Sequence, residues 1–472
     1  MSRSIVVLGG GPAGYVAALR AAQLGAQVTL VEEREIGGTC LNRGCIPTKA
    51  LVAAAERHRA ARDDADFGVV VGEPRVDVAA LMARKRAATE QLRGGVEHLL
   101  KQRKVEVVPG RGRLLDAHTV QVDAPAAVPS SGERESGADG SCVAGDAIIL
   151  ATGSRPTMLP VFDVDDPRVV TSDGLLELDH LPESLAVIGG GVIGCEFASI
   201  FAELGTKVTI IEMLPQLLPG EDKRTAATLL QAFRRAGVES QVKTTVEAVD
   251  VSSSEAVTLR LAGGDKVAAG LVLVSVGRQP VARGMGFDEA GVEIDERGFV
   301  VADETQRTTL EGVFAAGDVA GPPLLAHWAY HQGAAAAENA VLGGRRTVDR
   351  RFVPNCVFSH PEVASFGTTE DVAKAEGREI SIAQVRFNGN SKAVIEGENE
   401  GFVRIVADAE RRIIGASLVG PRVTELVHEL VLAAHAGLTI DDVADTIHAH
   451  PTLSEGVGEA ALNALGRGMH TM

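Results

Sequence analysis

Residues 5–32, IVVLGGGPAGYVAALRAAQLGAQVTLVE, and residues 187–212, VIGGGVIGCEFASIFAELGTKVTIIE, are two copies of one pattern. Each reads as an apolar run, a glycine turn, a helix of small residues, a Leu-Gly stop and a second apolar run ending in Glu. From Gly9 to Glu32 and from Gly189 to Glu212 the separation is 23 residues, and the stop glycines Gly25 and Gly205 both follow the third glycine of their turn by 11. A lone G-x-G-x-x-G is weak, because glycine turns are common. Here each follows a strand-like run and opens a helix, the context in which the motif binds dinucleotides. The first glycine (Gly9, Gly189) makes the tight turn, the second (Gly11, Gly191) lets backbone approach a pyrophosphate, and the third (Gly14, Gly194) lets helix and strand pack closely. The helix N-terminus adds unpaired N–H groups and the positive end of its dipole. Glu32 and Glu212 stand where a carboxylate accepts from a ribose hydroxyl. Glu212 is followed by Met213 and Leu214, with no arginine to receive a 2′-phosphate, so the second site is expected to take NAD rather than NADP.

At 472 residues the chain is too long for one core and should divide into about three or four domains. Acidic residues outnumber basic ones by 63 to 46, a formal charge of −17, which argues against nucleic acid as a partner. No stretch has the apolar length of a membrane span, and the N-terminus lacks the pattern of a secretory signal, so a cytoplasmic protein is expected. The 5 cysteines fit that expectation, since an odd number with three scattered singly (Cys142, Cys195, Cys356) is no secreted disulfide framework.

The other two, Cys40 and Cys45, stand close together in GGTCLNRGCIPTK (37–49). Only EREIGGT separates Glu32 from Cys40, so the pair opens the next element beside the first dinucleotide site. Residues five apart in an ideal helix have Cα atoms roughly 8 to 9 Å apart, whereas a relaxed disulfide wants about 4.4 to 6.8 Å. Gly44 and Pro47 allow the local distortion that closing the ring requires, and a thiolate at a helix start is favoured by the dipole. A redox couple ranks first. A metal site ranks below it, because no second CxxC or nearby His supplies further ligands. A structural staple ranks last, because so small a loop constrains the unfolded chain little.

These stretches, together with ILATGSRP (149–156), VSVGRQP (274–280), VFAAGDVAG (313–321), VPNCVFSHPEVASFG (353–367) and HAHPTLSE (448–455), resemble the flavin-dependent pyridine nucleotide-disulfide oxidoreductases of class I over essentially the whole chain. The resemblance is strongest to dihydrolipoamide-oxidising members. It implies an α/β fold of two Rossmann-like domains plus a C-terminal α+β dimerisation domain. The expected division is an FAD-binding domain over 1–150, an NAD-binding domain over 151–277, a second part of the FAD-binding domain over 278–348, and an interface domain over 349–472. In the last, Val423, Leu426, Val427 and Leu430 recur at helical spacing. The segment 124–141, rich in Pro, Ser and Gly, reads as a loop without assigned function.

The resemblance also implies which residues act. FAD is expected on Gly9, Gly11, Gly14, Glu32 and Glu33, on Thr39, Cys40 and Lys49, on Gly112, and on the turn Thr152, Gly153 and Ser154. Asp318 is expected on its ribityl chain, with Leu324, Leu325, Ala326 and His327 completing the site. NAD is expected on Gly189, Gly190, Gly191, Val192, Ile193, Gly194, Glu196, Glu212, Val246 and Gly277. Cys40 and Cys45 form the redox disulfide, and Lys49 and Glu196 stand near the reactive part of the flavin. Thiol chemistry needs a base that titrates near neutrality, and histidine suits it. By resemblance His450 is that base and Glu455 fixes its tautomer, both acting on the cysteines of the other subunit of a homodimer. His448 is expected to be structural.

The expected function is NAD-dependent, FAD-containing oxidation of dihydrolipoamide, or of lipoyl domains of a 2-oxo acid dehydrogenase complex, with no metal, nucleic acid or membrane involved. The runner-up is a related reductase of the mycothione or glutathione type, or one acting on quinones or dyes. A flavoprotein scaffold with incidental redox chemistry is disfavoured by the complete Cys, His and Glu set. One departure stands out: LLAHWAYHQG (324–333) occupies the place of an AHKAE-like sequence, and it puts Trp328, Tyr330 and His331 where they bear on either substrate approach or packing.

Overall fold

The computed structural model describes residues 2–123 and 140–470. Residues 124–139 of the expected Pro/Ser/Gly-rich loop therefore lie outside the described residues. The chain divides into two compact units.

The first unit comprises Met1–Ala50, Met82–Thr157 and Arg278–Asp349. Its centre is a five-stranded sheet in the order Val313–Ala315, Ala147–Leu150, Ser4–Leu8, Gln27–Glu32, Glu106–Pro109, with every neighbouring pair parallel. Strands covered on both faces read as continuous apolar runs rather than alternating ones. That is why AIIL is buried at every position and SIVVL at all but the first. The Pro12–Gln23 helix lies against this sheet through Ala17, Ala18 and Ala21, small residues that let the helix approach closely. The Ala326–Leu342 helix packs on it in turn. A three-stranded antiparallel sheet, Arg111–Asp116, Thr119–Asp123 and Ser141–Ala144, completes the unit.

The second unit comprises Leu51–Leu81, Met158–Gly277 and Arg350–Met472. It repeats the parallel sheet, in the order Glu239–Val242, Lys207–Glu212, Ser184–Ile188, Leu271–Val274, Val169–Thr171. The strand–helix–strand geometry of the two internal copies is thus the same. C-terminal to it is a five-stranded antiparallel sheet, Asn355–Val357, Glu362–Gly367, Ile413–Gly420, Phe402–Ala407, Ser381–Arg386. The Val423–His435 and Glu455–Ala464 helices cover this sheet. Val423, Val427 and Leu430 of the expected helical stripe join Val403, Ile405, Leu418 and Val457 in its core, with Leu426 partly buried beside them. Each such side chain contributes roughly 1.5 to 3 kcal/mol on burial.

The fold class is the one the sequence implied: two Rossmann-like domains and a C-terminal α+β domain. Among the described residues, no helix is long and apolar enough to cross a membrane.

Candidate active site

The first glycine turn joins strand Ser4–Leu8 to the Pro12–Gln23 helix. A Cβ on Gly14 would lie 1.7 Å from the carbonyl oxygen of Gly9, so only glycine lets helix and turn meet here. The helix start has no side-chain cap, which leaves its first N–H groups directed at whatever fills the turn. At the end of the next strand Glu32 accepts from the N–H of Gly10 at 2.6 Å and from that of Arg34 at 2.8 Å. Burial pushes its carboxyl above the usual value. The second turn is built alike. A Cβ on Gly194 would lie 1.9 Å from Gly189 O, and Glu212 accepts from Gly190 N at 2.6 Å and Leu214 N at 2.7 Å.

The cysteine stretch lies directly against the first turn. Gly37 N donates to Gly10 O at 2.8 Å, and a Cβ on Gly38 would come within 2.6 Å of the Gly11 Cα. Cys40 sits in the short Gly38–Arg43 helix and Cys45 opens the Cys45–Asp63 helix, so the helical path is interrupted at Gly44. The interruption brings the two side chains into hydrogen-bonding contact, where a continuous helix would hold them apart. Both are free thiols in this structure. The bond to Cys45, reinforced by burial, raises the Cys40 pKa, while the charge of Lys49 opposes the rise. Asn42 pins the stretch by donating to Ile36 O and Gly38 O, each at 3.0 Å, and Arg43 pairs with Glu35 at 2.6 Å.

Strand Arg278–Pro280 pairs antiparallel with Ser154–Pro156 in the first unit. This pairing assembles a polar chain in which Arg278 Nε donates to Ser154 Oγ at 2.7 Å and Ser154 donates to Asp318. Thr152 donates to Val281 O, so the turn 152–154 is held from both sides. Leu325 precedes the Ala326–Leu342 helix without a side-chain cap.

In the second unit His450 Nδ1 lies 2.9 Å from Glu455 Oε1, and Glu455 Oε2 accepts from Thr452 N at 2.8 Å. Partial burial pushes the Glu455 carboxyl up, but these two bonds outweigh it and hold the group below its ordinary value. The His450 side chain is 70 % exposed, and Nε2 has no partner among the described residues. A carboxylate on Nδ1 selects the tautomer that leaves Nε2 free to take a proton.

The family model described as pyridine nucleotide-disulphide oxidoreductase matches residues 3–333, and its dimerisation domain matches 353–461. The chain belongs to the pyridine nucleotide-disulphide oxidoreductases. Among curated relatives of this oxidoreductase, the dihydrolipoyl dehydrogenase of Bacillus subtilis is 40 % identical over 99 % of this chain and 98 % of its own length. Dihydrolipoyl dehydrogenase 3 of Pseudomonas putida is 39 % identical over 99 % of each. Among solved structures, LpdA of Mycobacterium tuberculosis superposes with a TM-score of 0.89 at 29 % identity, over 98 % of this chain and 99 % of that one.

Like its family, the oxidoreductase uses FAD and NAD, and both glycine turns fit a dinucleotide. At each, the third glycine has no room for a Cβ, the second is free of close neighbours on the side where a pyrophosphate would approach, and a carboxylate at the end of the next strand bonds back to the turn. The structure gathers Gly9, Gly11, Gly14, Glu32, Thr39 and Cys40 around the first turn. Glu33 is exposed, with Glu32 the carboxylate turned to the glycines. Gly112 lies where the antiparallel sheet meets strand Ser4–Leu8, a Cβ there falling 2.3 Å from Leu8 Cδ1. Around the second turn, Val192 and Ile193 open the helix, and Val246 begins strand Val246–Asp250. Glu196 is buried and accepts from Phe358 N at 3.0 Å. Arg278 was missed by sequence reasoning, because its partners are 124 residues away and only the strand pairing reveals them.

Proposed function

We propose that this oxidoreductase oxidises dihydrolipoyl groups to lipoyl groups with reduction of NAD, as a homodimer in the cytoplasm. The observation that carries the reading is the Cys40–Cys45 thiol pair packed against the first dinucleotide turn. Curated relatives named dihydrolipoyl dehydrogenase, similar over the full chain, supply the substrate class. Such groups are presented by lipoyl domains of a 2-oxo acid dehydrogenase complex.

In the oxidised enzyme a disulfide joins Cys40 and Cys45. His450 of the partner subunit, oriented by Glu455, takes a proton from one substrate thiol. The resulting thiolate attacks Cys40 Sγ, the S–S bond breaks, and its electron pair leaves on Cys45 as the thiolate. The second substrate thiol then displaces Cys40, closing the lipoyl disulfide. The substrate has lost two electrons and two protons. The electrons rest on the two cysteine sulfurs, one proton is held between them, and the other is on His450, which releases it to solvent. Lys49 adds positive charge that favours ionised sulfur. FAD held at the first glycine turn, beside Cys40 and Cys45, would supply the two-electron acceptor that links the dithiol to NAD and lets the disulfide re-form. Asp318, fixed by Ser154, would accept a hydrogen bond from a ribityl hydroxyl of FAD, and Glu212 would accept hydrogen bonds from the ribose hydroxyls of NAD.

The test is NADH formation from NAD with dihydrolipoamide, set beside turnover of mycothiol disulfide, glutathione disulfide and quinones. Dihydrolipoamide should exceed each alternative in kcat/KM by at least about 100-fold, the scale on which a general base acts when its thiol substrate is correctly placed. A larger kcat/KM for any alternative overturns the assignment.

A further inference from the structure

We infer that Glu221 is a positioning residue for NAD: its carboxyl fastens the segment after Glu212 to the edge of the C-terminal antiparallel sheet, so that the shape of the second glycine turn is set in part by that sheet. This rests on the reading of the second turn as the NAD site.

The two internal copies continue alike beyond their glutamates. After Glu32 the chain folds back and Gly37 N donates to Gly10 O at 2.8 Å; after Glu212 it folds back and Leu218 N donates to Gly190 O at 2.8 Å. The first returning segment leads into the cysteine pair. The second has no cysteine, and three residues past its contact it places Glu221, which is buried. Glu221 Oε1 accepts from Asn355 Nδ2 and from Ser365 Oγ, each at 2.8 Å. Asn355 belongs to the edge strand Asn355–Val357, and Ser365 is its direct partner on the neighbouring strand Glu362–Gly367. Oε2 is buried without a partner among the described residues, so one oxygen carries the whole attachment.

The segment is held under strain. Leu218 is buried at φ +47°, a left-handed conformation that a leucine keeps only where its surroundings impose it. On one side its N–H is tied to Gly190 O; on the other, Glu221 N donates to Leu218 O at 2.9 Å and the Glu221 carboxyl is tied to the sheet. Leu217 packs so closely on the turn that a Cβ on Gly190 would fall 2.5 Å from its Cδ2. The Gly190 carbonyl and the Gly191 N–H share one peptide plane, so fixing the first fixes the direction of the second. Once the carboxyl is cut from the sheet, Leu218 can relax, its bond to Gly190 is lost, and that plane is free to tilt. The same stretch of the C-terminal domain also grips the helix that leaves the turn, Phe358 N donating to Glu196 Oε1 at 3.0 Å and His360 N to Ser199 Oγ at 2.9 Å. Residues 355–360 thus hold the second turn from both of its sides.

NAD is titrated calorimetrically into the FAD-loaded enzyme, and FAD content is measured in parallel. Glu221→Ala should raise the Kd for NAD about tenfold, and Asn355→Ala or Ser365→Ala, each removing one of the two bonds, about threefold, with FAD content unchanged. Glu221→Gln keeps an accepting oxygen and should stay within about twofold of wild type. Asn355→Ala should add nothing to Glu221→Ala, because it acts through that carboxyl. A Kd for Glu221→Ala within twofold of wild type, a loss in Glu221→Gln equal to that in Glu221→Ala, additive effects of the Asn355 and Glu221 substitutions, or FAD lost in step with NAD in the milder Asn355→Ala each overturn the inference. An unchanged Kd for NAD in Gly194→Ala is a separate result: it removes the reading of the second turn as the NAD site, and the inference with it.

Discussion

His448 and His450 are two residues apart and are held by different partners. His448 has an acceptor at each ring nitrogen, Thr446 O at 3.0 Å from Nδ1 and Glu429 Oε1 at 2.9 Å from Nε2. A neutral imidazole carries one N–H, so only the imidazolium satisfies both. The bond to Glu429 raises its pKa above the ordinary histidine value, with Glu455 adding to the effect. A raised folded-state pKa means that the stabilisation is complete below the unfolded value near 6.5 and is lost as pH climbs through the folded value. Glu429→Gln should therefore cost about 1 kcal/mol near pH 6, after allowance for solvent screening. Its deficit relative to wild type should shrink toward pH 9 in urea unfolding midpoints, and a deficit that grows with pH would refute the imidazolium. His450, by contrast, has one ring nitrogen committed to Glu455, and it alone is arranged to exchange a proton.

At the level of helices and strands, what could be read in advance is what sterics dictates. The glycine turns were legible because Gly14 and Gly194 each sit where any Cβ would strike backbone, a condition that leaves one residue type. Gly194→Ala places that Cβ 1.9 Å from Gly189 O, where no flexible side chain can yield. It should raise the KM for NAD at least tenfold while FAD content and reduction of the cysteines by dihydrolipoamide remain; equal loss of FAD would show that the two turns are not separate. The stripe of the Val423–His435 helix was legible for a similar reason, since period and burial coincide. Contacts between distant segments were not. Tyr15 and Tyr330 are isolated aromatics until two helices pack, and Arg278 reaches Ser154 only once their strands pair. The break between Cys40 and Cys45 was half legible: Gly44 and Pro47 signalled distortion, whereas the division into two helices depends on how the stretch lies against Gly10 and Gly11. Nothing local indicated that residues 51–81 group with the second unit.

For the molecule as a whole, the dimerisation domain match and the exposure of His450 support a site completed by two chains. Mixing Cys45→Ser with His450→Ala chains tests this. Random pairing in a two-fold dimer puts half the chains in mixed dimers with one intact site each, so activity should recover to about a quarter of wild type. No recovery after subunit exchange has been verified would place both functions within one chain. The composition of the protein has a further consequence. Trp328 is its sole indole, buried near the start of the Ala326–Leu342 helix. All tryptophan fluorescence from this protein therefore originates at one apolar spot in the first unit, and its colour and intensity serve as a built-in optical gauge of how well that layer of helices stays dry.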